Sequence, residues 1–166
     1  ARQLSEGALD PSIVAEIRDA DFRQRALAAW RADFDSLDAY RRHAGYEAGV
    51  SGFVVHTVPA ALYCTLWSVD PRASLETAIR LGGDTDTVAA IVGALLGARD
   101  GRTGLPQDWL SGLRDWPVSE ATLIELAHAL AGGDPPPPQR WVASIPRNLG
   151  MGLLVVAHVL LRALGR

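Results

Sequence analysis

Cysteine is almost missing from this chain of 166 residues: Cys64 stands alone, so no internal disulfide can form. A reducing compartment is the expectation, with the cytoplasm as the location. An excess of positive charge is missing too. Sixteen basic residues face 19 acidic ones, a net charge of -3. That balance makes no electrostatic case for nucleic acid or an anionic membrane surface as a partner. The first residues, ARQLSEGALDPS, lack the apolar stretch of a secretory leader. The most apolar run, LGMGLLVVAHVLLRAL (149–164), carries His158 and Arg162. It falls short of the roughly 20 residues of a membrane span, so a buried or docking helix is expected there. No alternating run is long enough to suggest a sheet. No P-loop and no dinucleotide-binding fingerprint occurs.

What is present is helical. Asp10 before Pro11 reads as an N-cap followed by proline at the first helical position. Ile13, Val14, Ile17, Leu27 and Trp30 then recur at helical spacing, with a break near Asp19 to Asp21. SLDAYRRHAG (36–45) is a short helix stopped by Gly45. In SGFVVHTVPAALYCTLW (51–67), Pro59 argues against a central strand and fits the first turn of a helix running to Trp67. Ser74 is the expected cap of the next helix, and Gly82 or Gly83 its end. A further helix is expected from Thr87 to about Arg99, then a loop with Pro106 and a short segment around Trp109. Ser119 caps a helix to Ala131. GGDPPPPQ (132–139) holds the Pro-rich connection at 133–139, which leads to a last helix over 146–164.

The segment GGDTDTVAAIVGALLGARDG (82–101) carries the chemistry. Asp84, Asp86 and Thr87 fall within four residues and are hard oxygen donors, suited to Mg2+, Mn2+ or Ca2+. Gly82 and Gly83 allow a tight backbone approach, and the positive end of a helix dipole favours anions at that point. The same residues are ordinary caps, because Asp and Thr begin helices and Gly ends them. On the residues alone, both readings stand. An EF-hand fails: counting from Asp84, position six is Ala89 instead of Gly and position twelve is Leu95 instead of Glu. In the following helix Ala89, Gly93 and Gly97 recur at steps of four beside Ala90, Ala94 and Ala98, a face suited to close helix packing.

These residues resemble a known family. GGDTDTVAAIVGALLGARDG is similar to the C-terminal signature of the ADP-ribosylglycohydrolases, including the dinitrogenase-reductase-activating type. SGFVVHTVPAALYCTLW resembles that family's Ser-Gly-aromatic-Val-Val-x-Thr segment, and IPRNLGMGLLVVAHVLLRAL (145–164) its final helix. The resemblance implies an all-α, compact multi-helix bundle, of which residues 1–166 form the C-terminal portion of one domain. It implies two Mg2+ ions, with Mn2+ as the alternative, and cleavage of the glycosidic bond between ADP-ribose and an acceptor. The acceptor would be a protein side chain such as arginine, or a small molecule. By the same resemblance Asp84, Asp86 and Thr87 are metal ligands, with Asp84 and Asp86 acting in catalysis through the bound metal. Ser51, Gly52, Phe53 and Gly83 are the substrate-binding residues, Phe53 being the aromatic that packs against the nucleotide. His56 and Thr57 share the motif in less certain roles, His56 as a core or capping residue.

The family's N-terminal half, with its Gly-Asp-Ala-x-Gly-like segment and Thr-Asp-Asp-Thr run, has no counterpart here. Asp84 and Asp86 supply about half of the expected metal shell. The expectation is a processed or excised piece, completed by a companion polypeptide that carries the N-terminal half. The rival expectations are a catalytically incomplete ADP-ribose-binding or interaction module and a plain helical scaffold. Trp109, Trp116 and Trp141 are expected to anchor loops, His128 and His158 to be structural, and Arg147 and Asn148 to cap the last helix.

Overall fold

The structure, a computed structural model, describes residues 12–31, 33–113, 119–133, 135 and 141–164. It is helical throughout these residues, which contain no β-strand beyond one isolated bridge. The helices are α1 (Ser12–Ala15), α2 (Ala20–Arg31), α3 (Leu37–Ala44), α4 (Val54–Trp67), α5 (Pro71–Leu81) and α6 (Thr85–Asp100). A 3-10 turn (Arg102–Gly104), α7 (Gln107–Gly112), α8 (Glu120–Gly132) and α9 (Trp141–Leu164) follow. Two compact units divide the chain between Gln107 and Asp108.

In the first unit α4 packs against α2, α5 and α6, and α5 packs against α6. Val88, Val92 and Leu96 recur every four residues on α6 and are fully buried. The small-residue row Ala89, Gly93 and Gly97 lies beside that stripe. A Cβ on Gly93 would meet Leu75 of α5 at 3.9 Å, and one on Gly97 would meet Leu105 at 3.9 Å. These are ordinary van der Waals distances, so the row gives close but unstrained packing. Tyr40 of α3 and Tyr63 of α4 stack with ring centroids 3.7 Å apart, and Phe34 and Tyr46 meet this pair edge-on or tilted. Such aromatic contacts add to the burial of large apolar surfaces.

Local chemistry explains the element ends. The expected break after α1 is real, and the Asp19 carboxylate accepts from the backbone N–H of Phe22 at 2.7 Å to start α2. Ser36 caps α3, and Gly45, at φ 73°, ends it in the left-handed conformation. Ser119 caps α8 in a reciprocal pair with Thr122.

Other expectations need correction. Helix α4 starts at Val54, five residues before Pro59, which sits inside it. Its packing on three helices outweighs the one backbone bond that proline removes. Asp70, followed by Pro71, caps α5 through the N–H groups of Arg72 and Ala73. Ser74 lies buried inside α5, its hydroxyl bonded to the Ser68 carbonyl. Helix α6 begins at Thr85, not Thr87, which puts Asp86 and Thr87 in its first turn.

In the second unit α9 begins at Trp141 and includes Pro146, so Arg147 and Asn148 lie within the helix instead of capping it. Its part from Ser144 to Leu164, 21 residues of mean hydropathy 1.4, is long and apolar enough to cross a membrane by length and composition. The expected shortfall therefore does not hold, because the helix continues upstream of the apolar run. The described side chains from Ile145 onward are exposed, which removes the buried alternative of the expected buried or docking helix. His128 and His158 are exposed as well, and Trp109 is 36% exposed. The Asp10–Pro11 cap, Trp116 and most of the Pro-rich connection lie outside the described residues.

Two outcomes test this core. Leu81 is fully buried, so Leu81→Ala is expected to lower the stability of the chain by about 2–5 kcal/mol in urea denaturation. Burial pushes the Cys64 thiol up to about 12. Its alkylation by iodoacetamide at neutral pH is expected to be negligible in the folded chain and rapid in denaturant. Fast labelling without denaturant contradicts the packing around α4.

Candidate functional site

The site is built where two chain segments meet. The loop between α3 and α4 (45–53) runs beside the turn between α5 and α6 (82–84). A parallel bridge pairs Val50 with Gly83. The Val50 N–H donates to the Gly82 carbonyl at 3.0 Å, and the Asp84 N–H donates to the Val50 carbonyl at 2.8 Å. The backbones touch so closely that side chains are excluded. A Cβ on Gly83 would overlap the Val50 backbone, and one on Gly49 would overlap that of Gly83. Both glycines also have positive φ, 97° at Gly49 and 76° at Gly83, which an L side chain adopts only under strain.

The bridge brings the predicted substrate residues to the predicted ligands. Asp84 lies over Gly52, where a Cβ would meet its Oδ2 at 2.9 Å. Asp84 is the N-cap residue of α6, yet its side chain makes no capping bond to the backbone. Its Oδ1 accepts instead from the Thr87 hydroxyl at 2.9 Å. Asp86, one turn position away and fully exposed, is held below the usual carboxylate range. The first cause is a side-chain hydrogen bond with Asp84, and backbone N–H groups at the helix start add to it. Two carboxylates and a hydroxyl thus share one corner at the positive end of α6. Hard oxygen donors at this spacing fit a divalent cation of the Mg2+ type. Among the described residues no group of three or more His, Cys, Asp or Glu side chains converges, so this corner offers two carboxylates.

The facing loop is held from beneath. Thr57, buried on α4, donates its hydroxyl to the carbonyls of Ser51 (3.2 Å) and Phe53 (2.9 Å). Ser51 Oγ lies 2.6 Å from His56 Nδ1. The Tyr46 hydroxyl donates to the His56 carbonyl at 2.9 Å, and its ring meets the imidazole edge-on. Burial raises the Tyr46 phenol, which keeps it a neutral donor. His56 lies inside α4, neither buried nor its cap, and positions the loop through Ser51. Phe53 points outward, 74% exposed, with its face open to solvent. Ser51, Gly52, Gly83, Asp84, Asp86 and Thr87 gather at one place, and Phe53 stands at the loop's end.

Sequence reasoning missed Tyr46, Gly49 and Val50. Gly49 was the available signal, since an isolated glycine beside a β-branched residue marks close backbone approach.

Comparison with known proteins matches residues 2–140 to the family described as ADP-ribosylglycohydrolase. Over 72 residues the chain is 36% identical to ADP-ribosylhydrolase ARH3 of Homo sapiens, covering 37% of this chain and 19% of that protein. Over 92 residues it is 35% identical to ADP-ribosylarginine hydrolase Tri1 of Serratia proteamaculans, covering 55% of this chain and 24% of that protein. A protein of Archaeoglobus fulgidus is 43% identical over 58 residues, covering 35% of this chain and 18% of its own length. The chain thus spans a quarter or less of the relatives it matches, between 18% and 24%. No solved structure matches it.

The bridge yields a prediction that needs no ligand. Gly83→Ala places a methyl group into the Val50 backbone at a positive φ. It is expected to cost more than ~1 kcal/mol in urea denaturation, where Gly112→Ala, whose Cβ would meet open space, costs less than about half of that. Equal effects of the two substitutions contradict the close approach.

Proposed function

This chain belongs to the ADP-ribosylglycohydrolase family, and from that premise we propose that it is the C-terminal part of a Mg2+-dependent hydrolase. The reaction proposed is cleavage of the glycosidic bond between ADP-ribose and an acceptor, a modified protein side chain such as arginine or a small molecule. The observation that carries this reading is the Asp84 carboxylate. It occupies a capping position, makes no capping bond of its own and accepts from the Thr87 hydroxyl instead. A plain scaffold would have used it as a cap.

In this reading Asp84, Asp86 and Thr87 hold one side of a pair of Mg2+ ions, with Mn2+ as the alternative. Bound there, the ions would polarise a water and the ribose oxygens. The remaining ligands come from a companion polypeptide with the N-terminal half, since two carboxylates do not complete a two-ion site. The rest of the work belongs to this chain's own residues. Gly83 admits the Val50 backbone, and Gly52 leaves the Asp84 carboxylate its place at the edge of the loop. Ser51, held by His56, offers its hydroxyl at the mouth of the site. The exposed Phe53 ring gives the nucleotide a flat apolar face. Thr57 and Tyr46 keep the loop from drifting, and positioning of this kind contributes by orientation. A cytoplasmic setting, an ADP-ribosylated substrate and no nucleic-acid partner complete the proposal. A non-catalytic ADP-ribose-binding module is the second reading, favoured by the meeting of only two carboxylates among the described residues.

Two measurements separate these readings. In the enzyme completed with its N-terminal half, Asp86→Ala is expected to reduce release of ADP-ribose from ADP-ribosylarginine by at least ~100-fold. Its helical circular dichroism should not change, because Asp86 is exposed. Wild-type turnover in that variant sinks the ligand assignment, and ADP-ribose binding without any release in the unsubstituted protein supports the binding module. Thermal melting of the completed enzyme should rise with Mg2+, by about 2.7 kcal/mol of added stability at a hundredfold excess over Kd. The rise should vanish in Asp86→Ala.

A further inference from the structure

We propose that the cavity between α2 and the end of α3 is a binding site for a small phosphate- or carboxylate-bearing anion. The cavity measures about 310 Å3. Asp21, Gln24 and Arg25 line it from α2, Arg42 and His43 from the last turn of α3, and Tyr46 from the loop beyond. Its volume suits a small ligand, and its lining combines charged heads with an aromatic face.

The charges in the cavity are unequally committed. Arg25 is occupied: its Nε donates to Asp21 at 2.8 Å and its guanidinium also donates to the Ala44 carbonyl at 3.2 Å. Arg42 stands at a helix C-terminus, where a cation often serves the free carbonyls. Here the carbonyls of Arg41, Arg42 and Ala44 already have donors. The Tyr46 N–H donates to the Arg41 carbonyl at 2.8 Å, the Gly45 N–H to the Arg42 carbonyl at 3.3 Å, and Arg25 to that of Ala44. Among the described residues the Arg42 guanidinium has no hydrogen bond or ion pair. Asp21 is neutralised by Arg25, so the cavity carries an uncompensated positive charge. A guanidinium with its fork free favours a planar or tetrahedral oxyanion.

The cavity also reaches the substrate loop. Tyr46 forms part of its wall, donates to the His56 carbonyl and packs on the imidazole that holds Ser51. A ligand resting on Tyr46 therefore presses on the residue that positions that loop, whatever the loop binds.

The test is calorimetric titration of the full chain with inorganic pyrophosphate in EDTA, which removes any metal-mediated binding. Saturable binding is expected in the unsubstituted chain, at least tenfold weaker in Arg42→Ala and unchanged in Arg80→Ala, an exposed arginine paired with Glu76. The amide resonances of Ser51 and His56 should shift with saturation in the unsubstituted chain. Absence of binding, or equal weakening by both substitutions, overturns the site. Binding with stationary Ser51 and His56 resonances overturns its link to the loop.

Discussion

The closeness of two backbones at Val50 and Gly83 is the constraint on which the site depends. Two hydrogen bonds hold the α3–α4 loop against the turn that starts α6. They form only because neither Gly49 nor Gly83 carries a side chain. Each backbone group satisfied there would otherwise need another partner in a crowded interior. From this one contact follow the placement of Asp84 over Gly52, the direction of Ser51 and the outward position of Phe53. The helices around it bury apolar stripes as helices elsewhere do. The bridge converts that bundle into a site.

Helix α6 supplies the second requirement, rigidity. Its fully buried stripe of Val88, Val92 and Leu96 locks it into the first unit, while Gly93 and Gly97 let α5 and the 3-10 turn come near. Its first turn then carries Asp86 and Thr87 on a fixed mount. A ligand on a packed helix is held more narrowly than one on a free loop. The oxygen corner is the part of the chain where a local rule is broken. An N-cap aspartate that does not cap is a local cost of the kind that functional sites carry.

Much of the fold was legible in the sequence, for identifiable reasons. The cap at Ser119 and the stops at Gly45 and Gly82 act within a few residues, so they read directly. Starts that depend on packing did not. Pro59 suggests a first turn, yet α4 extends five residues upstream because three neighbouring helices cover it. Ser74 looks like a cap, yet Asp70 before Pro71 does that work and Ser74 is buried. At α9 the apolar run is too short by itself, and the helix is longer because the segment that begins at Trp141, upstream of the run, joins it.

By itself the sequence determined the helical class, the family resemblance and the identity of the oxygen donors, because each is written in contiguous residues. It left Asp84 divided between capping and ligation, since both uses call for the same residue at the same helix end. Only the tertiary structure shows that the Asp84 side chain makes no capping bond and accepts from the Thr87 hydroxyl instead. Only it joined positions 49–52 to positions 82–84, because a single bridge between Val50 and Gly83 leaves no apolar periodicity to read. And only it placed Tyr46 beneath His56, a contact ten residues apart in the chain that no local pattern encodes.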